Sequence, residues 1–206
     1  RHGATVYFVR PTRNRQIVFD LLGRDYPGVL VSDCLSLYDE VCEHQQKCHA
    51  HHGKAIKKAL QSLPPGEHGY LMDWKILLMA SRALGQARSD MLESQYAICR
   101  LALDKEANDL LRQPRRQPEE ERVRRRLLKQ RDHLFTFLDH PGVSPTNNLA
   151  ERQLRPAVIS RKLSCGNRTV KGAKTWETLT SLAVTSDQRE AKFREQLKSV
   201  IKPQAG

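Results

Sequence analysis

Two carboxylates stand where chemistry is easiest to build. Asp33 closes the run PGVLVSD, at the carboxyl end of what reads as a buried strand, the place where open α/β sheets put their reactive groups. Glu151 lies far downstream in PTNNLAERQLRP. There Asn148-x-x-Glu151 has the spacing of a capping box, in which Asn148 accepts a backbone N–H and Glu151 reaches back to the cap. The other reading of Glu151 is a metal ligand. A similar fork arises at Cys42-x-His44, Cys48 and His51, four soft or borderline donors within ten residues. Their spacing fits no common zinc finger, and no second cluster completes a standard pattern, so zinc is not expected. Cys48 and His51 are expected to pack where a sheet meets a helical segment, or to orient the acidic site.

The elements that must position these groups follow from periodicity. ATVYFV, residues 4 to 9, is β-branched and aromatic and reads as a strand closed by Pro11. RNRQIVFDLLG puts Ile17, Val18, Leu21 and Leu22 on one helical face and stops at Gly23. Val29, Leu30 and Val31 form a continuous apolar strand ahead of Asp33, followed by a short helix over 35–41 and a brief polar strand over 45–48. From His51 onward the pattern is helical. Leu71, Trp74, Leu78 and Ser81 share a face, Asp90-x-x-Glu93 reads as a capping box, and Leu92, Tyr96, Cys99, Leu103, Ala107 and Leu110 keep an a/d rhythm. That stripe could serve a partner helix as well as its own core. Pro118 opens a further helix, with Glu119, Glu120 and Glu121 at its positive dipole end and Val123, Leu127, Leu134 and Leu138 as the buried stripe. Arg122, Arg124, Arg125, Arg126 and Arg131 between them read most simply as a solvated face, with contact to DNA phosphates as the sharper alternative. Two terminal helices follow the Glu151 helix, the second opened by Asp187-x-x-Glu190.

Composition narrows the partner. The 206 residues suffice for one core, and 35 Lys and Arg against 23 Asp and Glu leave a net charge of +12. With a pI near 9.8 the chain suits a polyanion, nucleic acid first, better than a neutral small molecule. No apolar run is long enough to span a bilayer and no signal-peptide series is visible, so a cytoplasmic protein without a membrane partner is expected. Five cysteines without regular spacing suggest reduced thiols.

Read together, three segments carry a specific resemblance: PGVLVSDCLSLYDE, QQKCHAHHGKAI and PTNNLAERQLRPAVISRKLSCGNRTVKGAKTWETLTSLA. They resemble the catalytic domain of the insertion-sequence-66 transposases, a DDE family of bacterial mobile elements, over nearly the whole chain. The resemblance implies an α/β, ribonuclease H-like core, partial because its first strands are missing. Residues 1–50 would form that core, 51–140 a large, mainly helical insertion, and 141–206 the C-terminal helices with the catalytic Glu. The family's strand-closing Asp falls on Asp33, its helix-borne Glu on Glu151, and its C-x-x-H pair on Cys48 and His51, although CHAH here departs from an aromatic second position. The family's first catalytic Asp would precede Arg1. The expectation is therefore a truncated or decayed transposase, inactive by itself.

The implied chemistry is metal-dependent DNA cleavage and strand transfer, with Asp33 and Glu151 as catalytic and metal-binding carboxylates. Mg²⁺ or Mn²⁺ would be the cofactor, since hard cations take carboxylate oxygens rather than imidazoles. Arg152, Arg155, Arg161, Lys162, Arg168 and Lys171, with Lys174 beyond them, would grip the phosphates of transposon ends and target. For Arg155 the simpler alternative is an ion pair with Glu151 four residues earlier. Asn147 and Asn148 would shape and cap the turn. The expected setting is bacterial and nucleoid-associated, and a homo-oligomer is left open. The competing function is a non-catalytic basic DNA-binding or assembly remnant.

Overall fold

The computed structural model describes residues 3–164 and 166–201, so Cys165 lies outside the described residues. They form two compact units, one of residues 14–147 and one of the described residues within 3–13 and 148–201. The architecture is mainly helical with one small sheet of two parallel strands.

In the unit Asn14–Asn147, helix α1 (Arg15–Leu22) is capped by Asn14, whose side chain accepts the Ile17 N–H, and ends at Gly23 with φ 81°. That left-handed φ is what the sequence pattern anticipated from glycine at a helix end. Strand β1 (Leu30–Ser32) pairs in parallel with β2 (Gln45–Lys47), Leu30 opposite Gln45 and Ser32 opposite Lys47. The connection between them carries only a 3₁₀ turn, Ser36–Tyr38, where a short helix is expected from the sequence. Helix α2 (His49–Ser62) leaves β2 directly, and α3 (Gly69–Ala87), α4 (Glu93–Leu111), α5 (Pro118–Lys129) and the short α6 (Thr136–Asp139) follow.

The core of this unit is built from the stripes that periodicity identified. Leu71, Trp74, Leu78 and Ser81 of α3 are buried, as are Val123, Leu127, Leu134 and Leu138. The α4 stripe is only half buried: Tyr96 and Ala107 face the core and Leu103 and Leu110 lie at its edge, while Leu92 and Cys99 are exposed. Leu92 is exposed because it precedes the helix as its N-cap. Asp90 belongs to a preceding 3₁₀ turn and makes no cap, so the expected capping box does not form. Two of the expected solvated arginines are structural. Arg124 is buried, donates to the Leu111 carbonyl at 2.9 Å and so satisfies the end of α4, while Arg131 holds Asp104 at 2.6 Å and Asn108 at 2.8 Å.

In the other unit the segment ATVYFV is extended but joins no sheet. It lies instead along α8 (Val170–Gln188): the N–H groups of Thr5 and Tyr7 donate to Thr185 and Ser181 at 3.0 and 2.9 Å, and that of Val9 donates to Glu177. The match is metric. Two extended residues advance about 6.6 Å and four helical residues about 6 Å, so every second amide meets every fourth side chain. Tyr7 packs edge-on to Trp176 with ring centroids 5.3 Å apart. Helix α7 (Asn148–Ser164) contains Pro156, which removes one backbone hydrogen bond from its middle. Helix α8 stops in a Schellman motif, with Ala191 N–H on Ser186 O at 2.9 Å, Glu190 N–H on Asp187 O at 3.1 Å, and Glu190 at φ 52°. Asp187-x-x-Glu190 thus ends one helix rather than opening the next, and α9 begins three residues later (Phe193–Ile201).

Candidate functional site

Asp33 follows β1 at its carboxyl end and is half-buried. Its Oδ1 accepts the Leu35 N–H at 3.0 Å, an Asx turn that fixes the carboxylate, while Oδ2 accepts no hydrogen bond among the described residues. A fixed carboxylate with an oxygen to spare is a hard-donor site of the kind Mg²⁺ takes.

The small sheet that ends at Asp33 carries a layer of buried polar groups. The strand Gln45–Lys47 is buried throughout, and each side chain is anchored. Gln45 donates to Cys42 O; Gln46 donates to Leu134 O and accepts from Phe137 N–H. The Lys47 ammonium, fully enclosed, lies 3.1 Å from Asp39 and 3.4 Å from Ser32 Oγ. Lys129 reaches the second Asp39 oxygen at 2.8 Å. Partial burial works against the Asp39 anion, but the hydrogen bonds and charges of Lys129 and Lys47 outweigh it and hold the carboxyl below its ordinary range.

Two histidines complete the layer. His49 Nε2 donates to Leu134 O at 2.6 Å, and burial depresses its pKa to about 4. His52 is pushed to about 3, by burial first and then by the charge of Arg126. Both are neutral at pH 7, so the charges of this layer are those of Lys47, Lys129, Asp39 and Arg126. His52 Nε2 lies 3.6 Å from the Cys34 sulfur. Burial raises the Cys34 thiol, with Arg126 opposing.

Cys48 is completely buried at the junction of β2 and α2. Its N–H donates to Ser32 O at 2.9 Å, its carbonyl accepts from His51 N–H at 3.1 Å, and its sulfur receives the Asn147 N–H at 3.4 Å. The Cys48 sulfur and a His51 ring nitrogen lie within 4.8 Å of each other. Cys42 instead donates its thiol to the His44 carbonyl at 3.3 Å, and the His44 ring packs on His140 at 4.8 Å. Asn147 Oδ1 is enclosed and accepts no hydrogen bond, so the Asn147 side chain is not the cap the sequence suggests.

In the second unit, Glu151 occupies the first turn of α7, half-buried, where a negative charge suits the helix dipole. Asn148 is the first helical residue rather than the residue before it. Arg152, Arg155, Arg161, Lys162, Arg168, Lys171 and Lys174 are all exposed. Among the described residues none of the seven enters an ion pair, so the expected alternative for Arg155, a pair with Glu151, is not formed. Arg161 and Asn167 line a cleft of about 260 Å³ together with Phe8, Val158 and Trp176.

Sequence reasoning missed Lys47, Asp39, His52 and Arg126. The signal was there in Gln45-Gln46-Lys47, a polar strand that must find partners if the sheet is covered. Among the described residues no helix is long and apolar enough to cross a membrane. A family model described as "Transposase IS66 family" matches residues 1–175. No curated protein and no solved structure matches the chain.

Proposed function

Since the chain belongs to the transposase IS66 family and so to DNA transposition, we propose that it carries part of the machinery that cuts and joins DNA, with Asp33 and Glu151 as its carboxylate ligands for Mg²⁺ or Mn²⁺. The observation that carries this reading is the family match over residues 1–175, which includes both acids and their surrounding motifs. The family implies a ribonuclease H-like core; residues 1–50 and 141–206 are assigned to it and 51–140 to a helical insertion. The setting assigned is the bacterial cytoplasm, on the nucleoid.

Bound divalent ions would activate the attacking hydroxyl and stabilise the departing 3′ oxygen. The chain's own residues do the rest. The Leu35 N–H holds Asp33 in one orientation, leaving an oxygen for the cation. Glu151 brings a second hard carboxylate at a helix start. Cys48 and His51, joined through the first turn of α2, stiffen the end of the sheet beside Asp33. Arg152, Arg155, Arg161, Lys162, Arg168 and Lys171 bind phosphates, which positions DNA without reading its bases. Their exposure and lack of acidic partners support that role.

Fluorescence anisotropy on a short duplex carrying transposon ends tests this role. Replacing Arg161, Lys162, Arg168 and Lys171 with Gln should weaken binding at least tenfold near 0.1 M salt and flatten the salt dependence by about 3 to 4 in the log–log slope. Unchanged binding would remove these residues from the DNA interface. A chain that binds DNA equally well after loss of both carboxylates, and takes up no Mn²⁺, would favour the non-catalytic remnant.

A further inference from the structure

Helix α2 is a cation-rich element with no counter-charge of its own. Its sequence, HAHHGKAIKKALQS, holds Lys54, Lys57 and Lys58 and no acidic residue. All three lysines are exposed, and none enters an ion pair among the described residues. Helix α5, packed beside it, distributes its charges differently. Glu121 takes up Arg124 and Arg125, each at 2.7 Å, whereas Arg122 is 3.7 Å from Glu119 and 71 % exposed. Small residues of α2, Ala55, Ala59 and Ser62, leave a cleft of about 170 Å³ against α5. Lys58, Arg122 and Arg126 line it, with Glu119 as its one acid. Arg126 Nε is enclosed without an acceptor, and its guanidinium opposes, without overcoming, the burial that raises the Cys34 thiol. Lys58 and Arg126 line the same cleft, and Arg126 acts on Cys34, the residue after Asp33, which links the cations of α2 to the end of the sheet.

We propose that the face formed by Lys54, Lys57 and Lys58 of α2 and Arg122 and Arg126 of α5 is a second phosphate-binding surface that tracks the DNA backbone toward Asp33. This rests on the DNA-transposing reading and assigns part of the work to the helical segment, which sequence motifs leave without a role. Lysines along one helix supply point charges to successive phosphates, and the two arginines supply planar donor forks. Such a surface gives affinity and register without base specificity.

The test compares the whole chain with Lys54→Gln/Lys57→Gln/Lys58→Gln and with a control of equal charge change, Lys75→Gln/Lys105→Gln/Lys192→Gln. Binding to a short duplex is followed across a salt series, with circular dichroism confirming the fold of each variant. The α2 variant is expected to lower the log–log salt slope by about 2 to 3 and to lose at least tenfold in affinity, with Lys→Arg at the same positions restoring both. The control should keep the wild-type slope. Equal slopes for wild type and the α2 variant, or equal losses in the α2 variant and the control, would overturn the surface while leaving the DNA reading intact. Tighter binding of polyglutamate than of DNA by the same face would assign it to an acidic protein instead and overturn the proposal. Absence of any DNA binding by the wild type at low salt would end the DNA reading itself, and this surface with it.

Discussion

Lys47 illustrates how a buried charge is tolerated. Its ammonium is enclosed, and Asp39 is its counter-ion, with Lys129 on the carboxylate's other oxygen. Removing the two partners should have unequal consequences. Asp39→Ala leaves an uncompensated ammonium in the interior and is expected to cost about 3–5 kcal/mol, while Lys47→Met keeps the volume and should change stability by less than about 1–2 kcal/mol. Urea unfolding of both variants checks this, and equal losses would contradict it. His49 and His52 set a pH dependence. Their folded pKa values, about 4 and about 3, lie below the ordinary 6.5, so the unfolded chain binds more protons between those values. The stability they contribute is complete above pH 6.5 and is lost as pH falls toward 4 and then 3, by up to about 1.4 kcal/mol per pH unit for each histidine. Denaturant midpoints at pH 7 and pH 5 should therefore differ clearly, and less so in His52→Gln.

At the scale of the element, local chemistry explains which readings of the sequence held. The stripe of α3 and the first half of the stripe expected from Pro118 onward were legible because a fully buried face imposes a regular apolar period. Helix α5 ends at Lys129, however, so Leu134 and Leu138 are buried from the turn and short helix beyond it. ATVYFV was misread because strand propensity measures fit to a pleated, half-buried surface, and the side chains of α8 supply one without a sheet. The polar spacings Asp90-x-x-Glu93 and Asp187-x-x-Glu190 misled for a related reason: a capping pattern marks a helix end only where the backbone turns there, and the same residues suit 3₁₀ turns and stops. Glu190 sits in the left-handed region at a position that glycine usually fills. Glu190→Gly should raise stability by about 0.5–1 kcal/mol, read as a small increase in melting temperature. Gly85 behaves oppositely. A Cβ there would lie 2.9 Å from the buried Phe137 ring, so Gly85→Ala should lose about 1 kcal/mol despite the better helix propensity. A stabilised Gly85→Ala variant would show that the ring yields freely.

For the whole molecule, the excess of basic residues resolves into surfaces with different duties. Some arginines are internal fasteners, as Arg124 and Arg131 are. Other cations, the arginines and Lys162 of α7, Arg168 beyond it, and the lysines of α2 with Lys171 and Lys174 of α8, lack acidic partners and are assigned to DNA. Charge composition indicated a polyanion from the start, but it could not separate fasteners from DNA contacts, because that depends on which carbonyls and carboxylates the fold brings alongside each guanidinium. The motif acids were legible as residue types, while the supporting layer of Lys47, Asp39, His52 and Arg126 was signalled only by the polar strand Gln45-Gln46-Lys47, which does not say which partners it finds. The proposed function requires Asp33 and Glu151 to serve the same divalent ions. Mn²⁺ binding followed by electron paramagnetic resonance in the wild type, Asp33→Asn, Glu151→Gln and the double variant tests it most directly. Each single change is expected to weaken Mn²⁺ at least tenfold, with the double variant losing little more than the worse single. Unchanged affinity in either single variant, or losses that simply add, would contradict a shared site.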